Sequence, residues 1–277
     1  MVKISEILRP SSLSRRFRRF RLTDAEPTTP LQACVVLPPD YSPEQTAEAV
    51  TVNIPRPNKK GSPVVFGITL GEISDAIHRD SGAIVVPSTM LLRSLELNET
   101  ALRKRYGDKP FDDALNAGKT QSQVNPVEYP HLTGHERFLA VKPGWGIHTE
   151  ATAKKTKGLG MLFINYMTER GCVIPTIIEL SGIREGTMGA LRLAHLHGKR
   201  EVALPELSSY SGWYGIPLPD SLRQVMKGVR DHLIDQPDTT LNRVTLVTPP
   251  GMGLSFPQQA NFWKGNIDWV LQQPPWQ

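Results

Sequence analysis

The sequence has no long apolar run. No stretch approaches the ~18 residues of a membrane-spanning helix, and residues 1–22 lack the continuous apolar core of a secretory signal. Both absences predict a cytoplasmic protein with no transmembrane segment. Cysteine is scarce, with only Cys34 and Cys172 in 277 residues. Each sits in an apolar run (Ala33-Cys34-Val35-Val36 and Gly171-Cys172-Val173-Ile174), so both are expected to be inert buried thiols in a reducing compartment. Neither has a basic neighbour in sequence to activate it. Nucleophile signatures are missing as well: there is no Gly-x-Ser-x-Gly, and Ser208-Ser209-Tyr210-Ser211 has no base nearby in sequence. No complete catalytic constellation follows from the residues, and no cofactor or metal is expected.

What the chain does have is size and proline. A 30.8 kDa body can bury most of its apolar surface without a disulfide or metal staple. Hydrophobic residues make up 39% and charged residues 21%, which excludes wholesale disorder. The 24 prolines, roughly twice the usual frequency, predict short elements joined by stiff loops.

Positive charge is concentrated at one end. Residues 1–30 hold Lys3, Arg9, Arg15, Arg16, Arg18, Arg19 and Arg21 against Glu6, Asp24 and Glu26, which leaves the remainder almost neutral out of a total of +5. Leu13, Phe17 and Phe20 fall at i, i+4 and i+7 among these arginines, the spacing of a short basic amphipathic helix. Pro27 and Pro30 separate this arm, residues 1–30, from a body spanning 31–277.

Within the body, strand patterns cover Gln32 to Leu37, Ala49 to Ile54, Pro63 to Leu70 and Ala83 to Val86, with Val50, Val52 and Ile54 alternating. Gly71 to Asp80 has the look of a short helix. Ser88 or Thr89 is placed to cap another that carries Leu92, Leu95, Leu102 and Tyr106. Residues 107–136, punctuated by Gly107, Pro110, Gly118, Pro126, Pro130 and Gly134, are expected to be a long loop or insertion. Phe138 to Val141, Cys172 to Leu180 and Arg243 to Thr248 have strand character. Helices are predicted over Thr187 to His197 and, most clearly, Asp220 to Asp235, where Leu222, Val225, Met226, Val229 and Leu233 form one stripe. The element order favours α+β: a mixed sheet with several short helices and a basic N-terminal arm.

Several features carry candidate chemistry. Arg15, Arg16, Arg18, Arg19 and Arg21 offer fixed, forked donors that match phosphate oxygens, and Phe17 and Phe20 can stack on bases. Lys154, Lys155 and Lys157 form a second basic site with Gly158 and Gly160, without the Gly-Lys-Ser/Thr ending of a triphosphate loop. Gly182, Gly186 and Gly189 mark a glycine-rich turn at 182–189, where free amides at a helix start attract anions. His131 and His135 lack the order of a zinc-binding helix, and His195 and His197 diverge by about 200° on a helix. His135, His148 and His195 are the candidates for proton transfer. Tyr210, Trp213 and Tyr214 are either a stacking platform or a packed loop.

The preferred expectation is a non-enzymatic nucleic-acid-binding protein, RNA- or DNA-binding, with partner subunits in a larger ribonucleoprotein, defence or mobile-element complex. Two alternatives stand beside it. One is an enzyme holding a phosphorylated ligand at the 182–189 turn. The other is an assembly or capsid-type protein with a genome-binding arm.

Overall fold

A computed structural model describes residues 31–38, 41–42, 44–57, 62–78, 80–89, 91–95, 99–124, 141–168, 177–178, 180–207, 216–249 and 253–273. The arm and its five arginines lie outside these residues.

Strands β2 (Ala47–Ile54) and β3 (Val64–Leu70) form an antiparallel pair, and β1 (Cys34–Val35) adds to the outer edge of β2. Next in the chain come β4 (Gly82–Ser88), β5 (Gly146–Glu150), β6 (Gly160–Asn165), β9 (Glu201–Pro205) and β10 (Arg243–Thr248). Together they build one eight-stranded sheet in the order β1-β2-β3-β10-β9-β4-β6-β5. The five strands from β3 to β6 in that order are parallel, and β5 closes the far edge antiparallel to β6. A separate two-residue pair, β7 (Met167–Thr168) with β8 (Ile177–Ile178), follows β6. The expected mixed sheet with several helices is therefore what the chain folds into, in an α/β arrangement.

Sequence explains why the central strands lie where they do. Every residue of β4 and β6 is buried, as parallel strands covered on both faces require. Their period of two splits these residues between two cores. Ala83, Val85, Leu162 and Ile164 join one core with helices α3 (Leu180–Leu196), α4 (Leu218–Asp235) and α5 (Phe256–Leu271). Ile84, Val86, Met161 and Phe163 join the other, beneath α1 (Glu99–Tyr106), α2 (Lys109–Val124) and a 3-10 turn at Ile73–Asp75. Each large side chain buried in this way contributes about 1.5–3 kcal/mol.

The stripe predicted over 220–235 is the buried face of α4, where Leu222, Val225, Met226, Val229 and Leu233 are all inside. Other expectations change. Residues 109–124, expected as loop, are helix α2, because its inward positions are filled by Phe111, Ala114, Gly118 and Ser122 instead of a large apolar stripe. Leu92 and Leu95 lie in a turn ahead of α1, not in a helix. Residues 71–80 hold only the 3-10 turn. Cys34 is exposed on the edge strand, not buried, since only its neighbour Ala33 turns inward; Cys172 lies outside the described residues.

The supposed turn at 182–189 is the first half of α3, and its glycines serve packing. A Cβ on Gly186 would sit 2.4 Å from the Tyr166 ring, and one on Gly189 would sit 1.9 Å from the Gly144 carbonyl oxygen. No ligand can approach the backbone at Gly186 or Gly189, which is already in contact with protein.

Candidate functional site at the carboxyl edge of the sheet

In a sheet of parallel strands, ligands bind beyond the carboxyl ends, where successive connections leave in opposite directions. Here that point lies between β4 and β9. The chain leaves β4 toward its neighbour β6 and leaves β9 toward its neighbour β10. The two strands also part company there. They pair only over Gly82–Ile84 with Glu201–Ala203, whereas β4 keeps its register with β6 to Ser88 and β9 keeps its register with β10 to Pro205.

The side of β4 that β9 abandons is taken by the chain's own return. Leu95 donates its amide to the Pro87 carbonyl at 2.9 Å, in an antiparallel bridge that pairs Ser88 with Ser94. Thr89 shapes the turn between them, because its Oγ1 accepts the amides of Leu91 at 3.4 Å and Arg93 at 3.2 Å. Leu92 is held at φ 58°, the only positive φ of a non-glycine residue among those described, and its side chain is buried. A bulky residue held in that region stores strain of order 1–3 kcal/mol and persists only where its surroundings impose it. Helix α2 packs against this turn: Gly118 leaves room for the Leu91 backbone, since a Cβ there would come within 2.4 Å of the Leu91 carbonyl oxygen.

The rest of this edge is equally fixed. Gly71, at φ 131°, turns the chain away from β3 against Thr46, whose Oγ1 accepts the Glu72 amide at 3.1 Å. The Gly71 amide donates to the Thr248 carbonyl at the end of β10. At the end of β6, Asn165 donates through Nδ2 to the Val141 carbonyl and accepts the Met167 amide. Ser88 turns its hydroxyl back to the Val86 carbonyl. These polar side chains are occupied in holding the frame, so the donors left for a ligand are main-chain groups; of the three helices that begin at this edge, α4 and α5 already have first-turn amides taken by the Pro217 carbonyl and by the Ser255 capping box, which leaves the start of α3. Helix starts carry partial positive charge and attract anions.

The histidines lie elsewhere. His195 accepts the Thr240 amide through Nδ1 at 3.2 Å, which ties α3 to the segment entering β10 at the amino edge of the sheet. His148, on β5, stacks on His197 with ring centroids 4.2 Å apart. Burial, followed by the nearby His197 and Lys199 charges, pushes His148 down to about 4. His197 is lowered chiefly by burial. His232, fully inside and 3.0 Å from Thr239 Oγ1, is also pushed by burial to about 4. His135 lies outside the described residues. Among the described residues no group of three His, Cys, Asp or Glu side chains is placed to hold a metal.

These shifts predict acid sensitivity. The three imidazoles are lowered in the folded state and take up protons in the unfolded chain below its ordinary value near 6.5, so their contribution to stability is complete at neutral pH and falls as pH drops, for His148 and His232 down to about 4. The urea midpoint should drop over that window, with about 3 kcal/mol of the loss assignable to His232. A His232→Gln variant that loses stability over the same window as steeply as the parent would refute that assignment.

Of the lysines singled out in sequence, Lys154 and Lys155 line a surface cavity together with Lys104 and Arg105, while Lys157 is exposed in the same turn. Sequence reading missed the carboxyl-edge junction altogether. Thr89 was seen only as a helix cap, and nothing local signals that β9 will leave β4.

No family model matches the sequence, and no curated protein matches it. Solved structures do match in fold. The Oceanobacillus iheyensis macrodomain with ADP is 14% identical, with 83% of this chain and 99% of that one covered at a TM-score of 0.51. A mutant of that macrodomain with ADPR is 10% identical, covering 83% of this chain and all (100%) of that one at a TM-score of 0.52. The Trypanosoma brucei macrodomain in complex with ADP is 15% identical, over 73% and 68% of the two chains, at a TM-score of 0.45. The likeness is one of fold. It overturns the nucleic-acid-binding, ribonucleoprotein expectation, because the body is built like proteins solved with ADP and ADPR, and a phosphorylated-ligand reading agrees with it better. Among the described residues no helix is long and apolar enough to cross a membrane.

Proposed function

We propose that the protein binds ADP-ribose at the carboxyl edge of its sheet, between the Thr89–Leu95 turn and the end of β9. The observation that carries this reading is the early parting of β4 and β9 at the switch point of a sheet that shares the fold of ADP- and ADPR-bound macrodomains. Main-chain amides of the edge and the start of α3 supply the diphosphate contacts, and the Thr89 turn forms a wall of fixed shape.

Calorimetric titration with ADP-ribose tests it. Saturable binding at one site is expected, and ligand at about 100 times its Kd should stabilise the fold by about 2.7 kcal/mol. ADP, lacking the distal ribose, should bind more weakly, and orthophosphate more weakly still. Absence of both heat and thermal shift with millimolar ADP-ribose would sink the proposal.

A further inference from the structure

The cavity that holds Lys154 and Lys155 shares no lining residue with the β4–β9 junction. It opens between the 3-10 turn, the last residues of α1 and the turn joining β5 to β6, and it has a volume of about 860 Å³. Three elements far apart in sequence contribute to it: Ser74 and Asp75, Lys104 and Arg105, and Ala153 to Thr156.

Its cations are unequally occupied. Arg105 is held by Glu72 at 3.0 Å and by Ser74 Oγ, which fixes the plane of the guanidinium. Ser74 in turn donates to Asp75 at 3.2 Å. The Thr156 hydroxyl donates to the Arg105 carbonyl at 2.8 Å, anchoring the lysine turn to the end of α1. Lys104, Lys154 and Lys155 make no ion pair with any described carboxylate, although eleven ion pairs form elsewhere or at Arg105. Four cations face the two carboxylates Asp75 and Glu72, leaving an excess of two positive charges around one concavity. The hydrogen bonds among Glu72, Ser74, Arg105 and Thr156 tie the three elements together and hold these cations around the one cavity.

We infer that this cavity is a second anion site, taking a compact ligand with two or more negative charges of the phosphate or diphosphate class. Its volume falls in the range of small-molecule pockets. One pre-oriented guanidinium offers forked donors, and the three lysines supply point charges that can adjust to the ligand. The inference is independent of ADP-ribose binding, because it uses no residue of the β4–β9 junction.

Inorganic pyrophosphate is the probe, titrated into the full chain with and without saturating ADP-ribose. Pyrophosphate should bind in both conditions, and Lys104→Gln, Lys154→Gln and Lys155→Gln combined should weaken it by about tenfold or more while changing ADP-ribose affinity by less than about twofold. If the triple variant fails to fold, Lys155→Gln alone, on an exposed position, should weaken pyrophosphate binding by about threefold. The inference is overturned if pyrophosphate gives no heat, if the lysine variants bind it as the parent does, or if ADP-ribose abolishes its binding. Should ADP-ribose itself not bind, the lysine-dependent pyrophosphate signal still reads this site alone.

Discussion

A Gly118→Ala variant should remain folded yet lose ADP-ribose affinity by about tenfold or more, the equivalent of about 1.4 kcal/mol. The methyl group added to α2 would lie 2.4 Å from the Leu91 carbonyl oxygen and 2.6 Å from its carbonyl carbon, both backbone atoms that cannot rotate aside. Either the helix or the turn must move, and the turn is the lighter of the two. Its displacement carries away the wall that Thr89 and the Pro87–Leu95 bond hold in place. Overpacking of this kind costs about 1–3 kcal/mol of stability, readable as a lower urea midpoint. Gly265→Ala is the matched control: it also lies inside a helix, nothing stands within 4 Å of its added Cβ, and it should raise stability by about 0.5–1 kcal/mol. Undiminished ADP-ribose affinity in Gly118→Ala would remove the turn from the binding site.

The largest stability effect should come from Gly189→Ala. Its Cβ would lie 1.9 Å from the Gly144 carbonyl oxygen, a contact no rearrangement of a side chain can relieve. Two neighbouring glycines are almost as tightly placed: a Cβ on Gly186 would lie 2.4 Å from the Tyr166 ring, and one on Gly228 of α4 would lie 2.8 Å from Thr187 Cβ. Helix α3 is thus wedged between the end of β6, the 142–145 segment and α4, with glycine at each point of approach. A loss of more than about 3 kcal/mol is expected from Gly189→Ala, a large fraction of the roughly 5–15 kcal/mol of a typical domain. Chemical denaturation against the parent measures it, and a midpoint within experimental error of the parent would show that α3 is not seated as described.

How much of this was legible depended on whether a residue's role was local. Helix α4 was visible because five apolar side chains at helical spacing all point into the core. Helix α2 was not, because Ala114, Gly118 and Ser122 line its inward face and small residues leave no periodic apolar signal; they are there to let backbone come close. The same confusion affected α3. Gly182, Gly186 and Gly189 suggested a phosphate-binding turn, yet they lie inside a helix, and Gly186 and Gly189 leave room for Tyr166 and the Gly144 backbone. Glycine permits an unusual conformation and a close approach alike, and only the neighbour across the gap tells which is in use.

By itself the sequence determined the strand segments β1 to β4 and β10, the amphipathic helix at 220–235, the absence of a spanning helix among the described residues and the concentration of arginine before residue 30. The tertiary structure alone decided the strand order, the junction where β9 leaves β4, and the meeting of Lys104 and Arg105 with Lys154 and Lys155. The physical reason is range. A side chain's affinity for core or water is written at its own position, whereas hydrogen bonding between strands is indifferent to separation along the chain, so that Gly71 bonds Thr248 as readily as Leu95 bonds Pro87.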